Sequence, residues 1–239
     1  MDIYNDDIPR SRPSVCIPIA ARGAGDLERH IAFVKDMSPD LVEFRADYYR
    51  GPDCAGAAKI ISDGLPGMPL IFTFRKRSEG GARDMEESER TAVILNAISS
   101  GYISAVDIEE STVEDRLEEV AAASRSNGIP VIMSYHDFFD MPSYEKLRSK
   151  IHNMKQKGAD VAKISVTPSN RSEAFAFIDN FVRIKRDTDM PTIAVTMGEH
   201  GLFLRLFGWV LDNPIIYAAG LVPTAPGQPP AQFIRWFEK

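Results

Sequence analysis

The stretch "DVAKISV" (160–166) reads as a buried β-strand, because Val161, Ile164 and Val166 are β-branched, the helix-like "HNMKQKGA" precedes it and the turn "TPSN" follows. Helix, strand and turn make one unit of a βα repeat, and the unit recurs along the chain. Seven further apolar runs share its character: "SVCIPIA" (14–20), "LVEFRA" (41–46), "PLIFTF" (69–74), "YISAVDI" (102–108), "PVIMSY" (130–135), "PTIAVTM" (191–197) and "PIIYAAG" (214–220). Between them lie helical patterns such as "MEESERTAVILNAIS", "TVEDRLEEVAAASRSNG" and "SEAFAFIDNFVRIKR", several opening on Ser, Thr or Asp caps and some closing on Gly. Alternation of this kind implies parallel strands, and eight units in this length fit a (β/α)8 barrel. An open doubly wound sheet shares the pattern, but "RGAGDLE" (22–28) is too incomplete for a dinucleotide fingerprint and no Walker-type loop occurs. No internal repeat, low-complexity tract or linker divides the chain, so residues 1–239 are expected to form a single (β/α)8 barrel domain.

Composition narrows the function. The chain has 239 residues, 44% hydrophobic and 26% charged, with a formal net charge of −6 and no basic block, which argues against a nucleic-acid or anionic-membrane surface. "MDIYNDDIPRSRP" (1–13) is polar and acidic where a secretory signal would be basic and then apolar, and "PIIYAAGLVP" (214–223) is too short to span a bilayer. A cytoplasmic protein is expected. Cys16 and Cys54 suggest neither a disulfide framework nor a metal knuckle, and both read as small buried hydrophobes.

Active sites of such barrels are built at the C-terminal ends of the strands. Glu43, Arg45 and Asp47 share one face at the end of the second strand, Arg75 ends the third, the fourth carries Asp107 and Glu109, His136 ends the fifth, and Lys163 lies in the sixth. Each alone reads equally as an ion pair or a snorkelling side chain; polar residues on five consecutive strand ends read as a site. A barrel lysine neutralised by burial or by nearby cations can condense with a carbonyl, and the imine makes the adjacent carbon acidic. His136, on the neighbouring strand, is the natural base, whereas His30, His152 and His200 read as solvated surface residues. Arg45, Arg75 and Arg205 suit a carboxylate and hydroxyls on a small polar substrate.

In order along the chain, "VEFRADYY" (42–49), "TFRKRSEGG" (73–81), "DIE" (107–109), "SYHDF" (134–138), "KISV" (163–166), "TMGEHGLFLRLFG" (196–208) and "TAPGQPP" (224–230) resemble the type I 3-dehydroquinate dehydratases. The resemblance implies a homodimeric (β/α)8 barrel of the shikimate pathway, without metal or organic cofactor, that eliminates water from 3-dehydroquinate in the syn sense to give 3-dehydroshikimate. It implies that Lys163 forms the imine and that His136 moves the protons, with Glu79 orienting His136. It further implies that Glu43, Arg45 and Arg75 bind ring hydroxyls, that Arg205, Thr224 and Gln228 hold the carboxylate, and that the Pro226-Gly227-Gln228 turn closes over the substrate. Two departures from the family pattern stand out: Thr224 where many members have serine, and a first strand, "SVCIPIAAR", without the serine of bacterial members.

Three other readings share parts of this set. A class I aldolase would also use Lys163 and a base, yet no phosphate cradle follows strands seven and eight. A metal-dependent barrel would gather Glu43, Asp47, Asp107 and Glu109 about a hard cation, yet arginines are interleaved among them. A non-catalytic binding barrel would have no use for both Lys163 and His136.

Overall fold

A computed structural model describes residues 14–236. The strands are β1 (Ser14–Ile19), β2 (Leu41–Arg45), β3 (Leu70–Thr73), β4 (Ala105–Glu109), β5 (Val131–Asp137), β6 (Val161–Val166), β7 (Thr192–Thr196) and β8 (Ile215–Tyr217). The helices that follow them in turn are α1 (Ala24–Met37), α2 (Cys54–Gly64), α3 (Glu87–Ser99), α4 (Glu114–Asn127), α5 (Tyr144–Gln156), α6 (Arg171–Asp187), α7 (Leu202–Phe207) and α8 (Ala231–Trp236). Every ladder is parallel, and the order β7-β6-β5-β4-β3-β2-β1-β8 wraps the strands into the (β/α)8 architecture read from the sequence.

The helices begin and end where short-range chemistry places them. Asp53, Ser143 and Asn170 cap α2, α5 and α6 by accepting the backbone N–H groups of Gly56, Lys146 and Glu173. Gly128 closes α4 in the left-handed conformation, as the terminal glycine of that segment suggested.

The barrel departs from the sequence reading at its seam. "PIIYAAG" was expected to run as a strand over 214–220, but β8 stops at Tyr217, and among the described residues no backbone ladder joins β7 to β8. Asn213 takes over that role. Its side-chain amide donates to Ala194 O at 2.7 Å and accepts from Ala194 N at 3.2 Å, so β7 receives from a side chain the pair of bonds a neighbouring strand would supply. The fourth and fifth strands also run further than expected, to Glu109 and Asp137, which brings both Glu109 and His136 into the sheet.

Apolar residues fill two concentric spaces. Val42, Phe44, Phe72, Val106 and Ile164 face outward onto Ile61, Ile94, Val120, Ile151 and Phe181 of the helices. Inside the barrel, Leu41, Ile71, Ala105, Ile132, Val161, Ile193 and Ile215 form a separate plug, joined by Cys16. Each large side chain so buried contributes about 1.5–3 kcal/mol. Cys16 and Cys54 are buried free thiols, in agreement with the sequence.

His30 corrects the sequence reading. Its residue type suggests a solvated surface position, but it is buried in α1 on the stripe formed with Leu27, Ile31 and Val34, a spacing of three and four that places it against the sheet. Burial lowers its pKa from the ordinary histidine value. His152 is exposed and His200 half-buried. Among the described residues no helix is long and apolar enough to cross a membrane. Residues 1–13, on which the cytoplasmic expectation partly rested, lie outside the described part of the chain.

Candidate active site

Strand alternation builds the site directly above the apolar plug. Two residues beyond the plug, on the same inward faces, stand Glu43, Thr73, Asp107, Ser134, Lys163 and Tyr217; two further on stand Arg45, Arg75, Glu109, His136 and Ser165. A cavity of about 200 Å³ opens over them. Glu43, Arg45, Arg75, Glu79, His136, Lys163, Arg205, Thr224 and Gln228 all line it, so the structure brings together every site residue expected from the sequence. Phe138, Ser165, Val195, Met197, Tyr217 and Ala225 are also in the wall.

Lys163 is buried, as the sequence suggests, but its nearest charged partners are carboxylates rather than cations. Its Nζ lies 2.8 Å from Asp107 Oδ2 and 3.6 Å from Glu43 Oε1, and 4.2 Å from the centre of the Tyr217 ring. The reason is register: Glu43 and Asp107 occupy the corresponding inward positions of β2 and β4, so the carboxylates converge on the amine across the barrel. With a ring face on one side and carboxylates on others, Nζ is held in place from several directions.

Asp107 is the hub. Its Oδ1 accepts Arg75 Nη2 at 2.8 Å and Ser134 Oγ at 2.7 Å, while Oδ2 takes Lys163. Burial alone would raise its pKa, but Arg75 and Lys163 outweigh burial and hold the carboxyl well below the usual range. Arg75 is in turn fixed by Glu109 Oε1 at 2.8 Å and Ser134 Oγ at 2.6 Å. Its buried guanidinium is held in the charged form by Asp107 and Glu109 against the cost of desolvation.

His136 has its ring Nδ1 3.0 Å from Glu79 Oε2, with 9% of its side chain exposed. The acceptor fixes Nδ1 as the protonated nitrogen and leaves Nε2 as the basic one. Burial, then the charges of Arg75 and Lys163, push its pKa well below the ordinary histidine value, so the imidazole is neutral. Glu79 closes a 3-10 turn (Arg77–Glu79) and is held from its other side by Ser111 Oγ. The next residues double back so tightly that a Cβ on Gly81 would meet Arg75 O at 2.1 Å, which is why glycine follows this carboxylate.

Arg45 forms a fork with Asp47, 2.9 Å from Nε to Oδ1 and 2.8 Å from Nη2 to Oδ2. Arg205 differs. It is 4% exposed, donates from Nε to Thr196 O at 2.7 Å and from Nη2 to Pro226 O at 3.2 Å, and no carboxylate contacts it among the described residues. Burial lowers its pKa to about 10, which leaves it a cation at neutral pH facing the cavity. The loop beside it is organised by Gln228, whose Oε1 accepts Thr224 N at 2.8 Å and Ala225 N at 3.2 Å. Gly227 there has φ +75°, and a Cβ would stand 2.6 Å from Gly198 O, so the turn packs onto the segment after β7 only with glycine.

The carboxylates are spent on cations of the chain: Glu43 on Lys163, Asp47 on Arg45, Asp107 on Arg75 and Lys163, Glu109 on Arg75 and Arg90. Among the described residues no three His, Cys, Asp or Glu side chains are grouped to hold a metal. Sequence reasoning placed Asp107 at the rim but missed its contact with Lys163, and it missed Tyr217 and Ser111. Tyr217 was legible as an inward position of the last strand. Ser111 carries no pattern of its own.

Comparisons with known proteins agree with this geometry. The family described as Type I 3-dehydroquinase matches residues 15–237. A protein of Bacillus velezensis named 3-dehydroquinate dehydratase is 32% identical over 238 residues, spanning 98% of this chain and 94% of that protein. The crystal structure of 3-dehydroquinate dehydratase from Geobacillus kaustophilus superposes with a TM-score of 0.89 at 27% identity, covering 94% of this chain and 89% of that one. A type I 3-dehydroquinate dehydratase from Clostridium difficile, solved with covalently modified comenic acid, shares the fold with a TM-score of 0.87 at 24% identity, over 95% of this chain and 92% of that one. With a family match running from the first strand to the last helix, relatives of almost the same length, and a barrel mouth that carries an amine, a neutral imidazole and an uncompensated arginine, this chain belongs to the type I 3-dehydroquinase family.

Proposed function

We propose that this chain dehydrates 3-dehydroquinate to 3-dehydroshikimate through an imine on Lys163, with residues 1–239 acting as one catalytic barrel. The observation that carries the reading is the pairing, in one cavity, of the Lys163 amine with a neutral His136 whose Nδ1 is committed to Glu79. Lys163 Nζ attacks the substrate ketone, and the carbonyl oxygen leaves as water. The protonated imine draws electrons from the adjacent carbon, so His136 Nε2 takes a proton there. As the enamine pushes out the hydroxyl, His136 returns that proton to it and a second water departs. Hydrolysis of the imine, which consumes one water, frees product and lysine, for a net loss of one water.

Arg205 binds the substrate carboxylate, because it lines the cavity as a buried cation that no carboxylate contacts among the described residues, and Thr224 and Gln228 complete that end. Glu43, Arg45 and Arg75 face the ring hydroxyls, Arg75 through the N–H groups not committed to Asp107, Glu109 and Ser134. The Pro226-Gly227-Gln228 turn covers the substrate. No metal or organic cofactor takes part in these steps, and by its family the protein acts as a homodimer in the cytoplasm.

Borohydride tests the reading. Borohydride with 3-dehydroquinate should abolish activity and leave a stable adduct on the peptide containing Lys163; borohydride alone should do neither, and Lys163→Ala should form no adduct. Turnover without a trappable adduct, or an adduct on another lysine, refutes the role given to Lys163.

A further inference from the structure

Arg90 lies outside the cavity, yet it belongs to the same ion network. It sits on the barrel-facing side of α3, 2% exposed, and donates from Nη1 to Glu109 Oε2 at 2.8 Å and to Phe74 O at 3.0 Å. From Nη2 it reaches Glu87 Oε1 at 2.7 Å and Thr112 Oγ1 at 2.8 Å. Glu109 is fully buried and splits its carboxylate between two arginines, with Oε1 on Arg75 and Oε2 on Arg90. Arg75 divides itself likewise between Glu109 and Asp107, and Asp107 between Arg75 and Lys163. Charges of alternating sign therefore run without a break from Lys163 through Asp107, Arg75 and Glu109 to Arg90, and outward to the half-buried Glu87.

Each member of such a row competes with its next-but-one neighbour for the ion between them. Buried ions separated from solvent are screened little, so the competition reaches the far end of the row. Resting on the imine mechanism proposed above, we propose that Arg90 is a positioning residue for Lys163: by engaging Glu109 it leaves Arg75 free to hold Asp107, and so loosens the grip of Asp107 on the lysine that must attack as a free amine. Without Arg90, Glu109 turns wholly to Arg75, Arg75 relaxes its hold on Asp107, and Asp107 tightens its grip on Lys163 Nζ. Glu87, shared between Arg90 and Lys76 Nζ at 3.2 Å, acts with the opposite sign by drawing Arg90 away from Glu109. The other groups facing Lys163, namely Glu43 of β2, His136 of β5 and Tyr217 of β8, make no direct contact with Arg90 or Glu87 among the described residues, although His136 feels the charges of Arg75 and Glu109.

The experiment compares wild type, Arg90→Gln, Arg90→Lys and Glu87→Gln, each measured for kcat, KM and the rate of borohydride-trapped adduct formation at saturating 3-dehydroquinate. Arg90→Gln and Arg90→Lys both lose the guanidinium fork and its packing, but the second keeps the charge. Arg90→Gln should lower kcat and the trapping rate about tenfold with KM changed less than about threefold, and Arg90→Lys should restore most of the loss. Glu87→Gln, at a half-buried position, should raise the trapping rate about twofold. Equal losses in the two Arg90 variants, in step with their folded fraction by circular dichroism, would show Arg90 to be an anchor for α3 and overturn the proposal. Should Arg90→Gln fail to fold, Glu87→Gln decides: a faster trapping rate supports the row, and an unchanged or slower one overturns it. The wild-type arm keeps the two readings apart, because failure of wild type to form the adduct refutes the imine mechanism itself.

Discussion

Glu79 grips His136 twice through one oxygen: Oε2 lies 3.0 Å from the ring Nδ1 and accepts the backbone N–H of the same residue at 3.1 Å. The backbone N–H can only donate, so whatever side chain replaces Glu79 must present an acceptor at that point. In Glu79→Gln the amide oxygen would be drawn there, its NH2 turned toward the Ser111 hydroxyl, and the histidine tautomer would survive with the charge lost.

Glu79→Gln should therefore retain more activity than Glu79→Ala. We expect kcat to fall about tenfold in the first and about a hundredfold or more in the second, where both orientation and charge are gone. Steady-state kinetics on the two variants check this, and equal losses would place the role of Glu79 in charge alone.

The depressed pKa of His136 has a consequence for stability. Its folded value lies below the unfolded value of about 6.5, so between the two the unfolded chain binds a proton that the folded chain does not. Stability is then fully present above about pH 6.5 and declines as the pH falls toward the folded value. Asp107 adds a separate loss in the same direction at lower pH, because its folded pKa is also depressed and its unfolded value is about 3.9. Urea unfolding should show a decline in stability from neutral pH to about pH 5 that is shallower in His136→Gln. In kcat/KM, the limb belonging to His136 should lie below about pH 6.5.

How far the site could be read in advance differs from residue to residue. Inward alternation on β2, β4, β5 and β6 is a local property of the chain, so Glu43, Asp107, His136 and Lys163 were legible as a set. Their pairing was not. Which carboxylate meets the lysine depends on barrel stagger, a long-range quantity that no single strand encodes. The seam failed for a similar reason: "PIIYAAG" has the composition of a full strand, but Asn213 had already satisfied β7 from a side chain. His30 looks like a surface residue by type alone, whereas its position on an apolar helical stripe with Leu27, Ile31 and Val34 buries it.

Arg205→Lys should expose the carboxylate end of the site. Lysine keeps the charge but loses the planar fork, so kcat/KM should fall by about 1.5–3 kcal/mol in transition-state stabilisation, the range for hydrogen bonds to charged groups. Thermal shift gives an independent measure. An unreactive cyclic carboxylate analogue should raise the Tm of wild type and have little effect on the variant. An unchanged kcat/KM in Arg205→Lys would mean that Arg205 serves Thr196 and Pro226 rather than substrate.

The hydrocarbon plug below the site limits how this protein can change over generations. Leu41, Ile71, Ala105, Ile132, Val161 and Ile193 offer nothing polar to the layer above, so an ion placed in the mouth is compensated from the side or from the substrate and never from below. A single substitution that adds or removes charge among Glu43, Asp107, Arg75, Glu109 or Lys163 strands its neighbour as an unpaired buried charge. Drift in this ring must proceed by compensating pairs, and chimeras that exchange one barrel strand between relatives should lose activity unless the adjoining strand is exchanged with it.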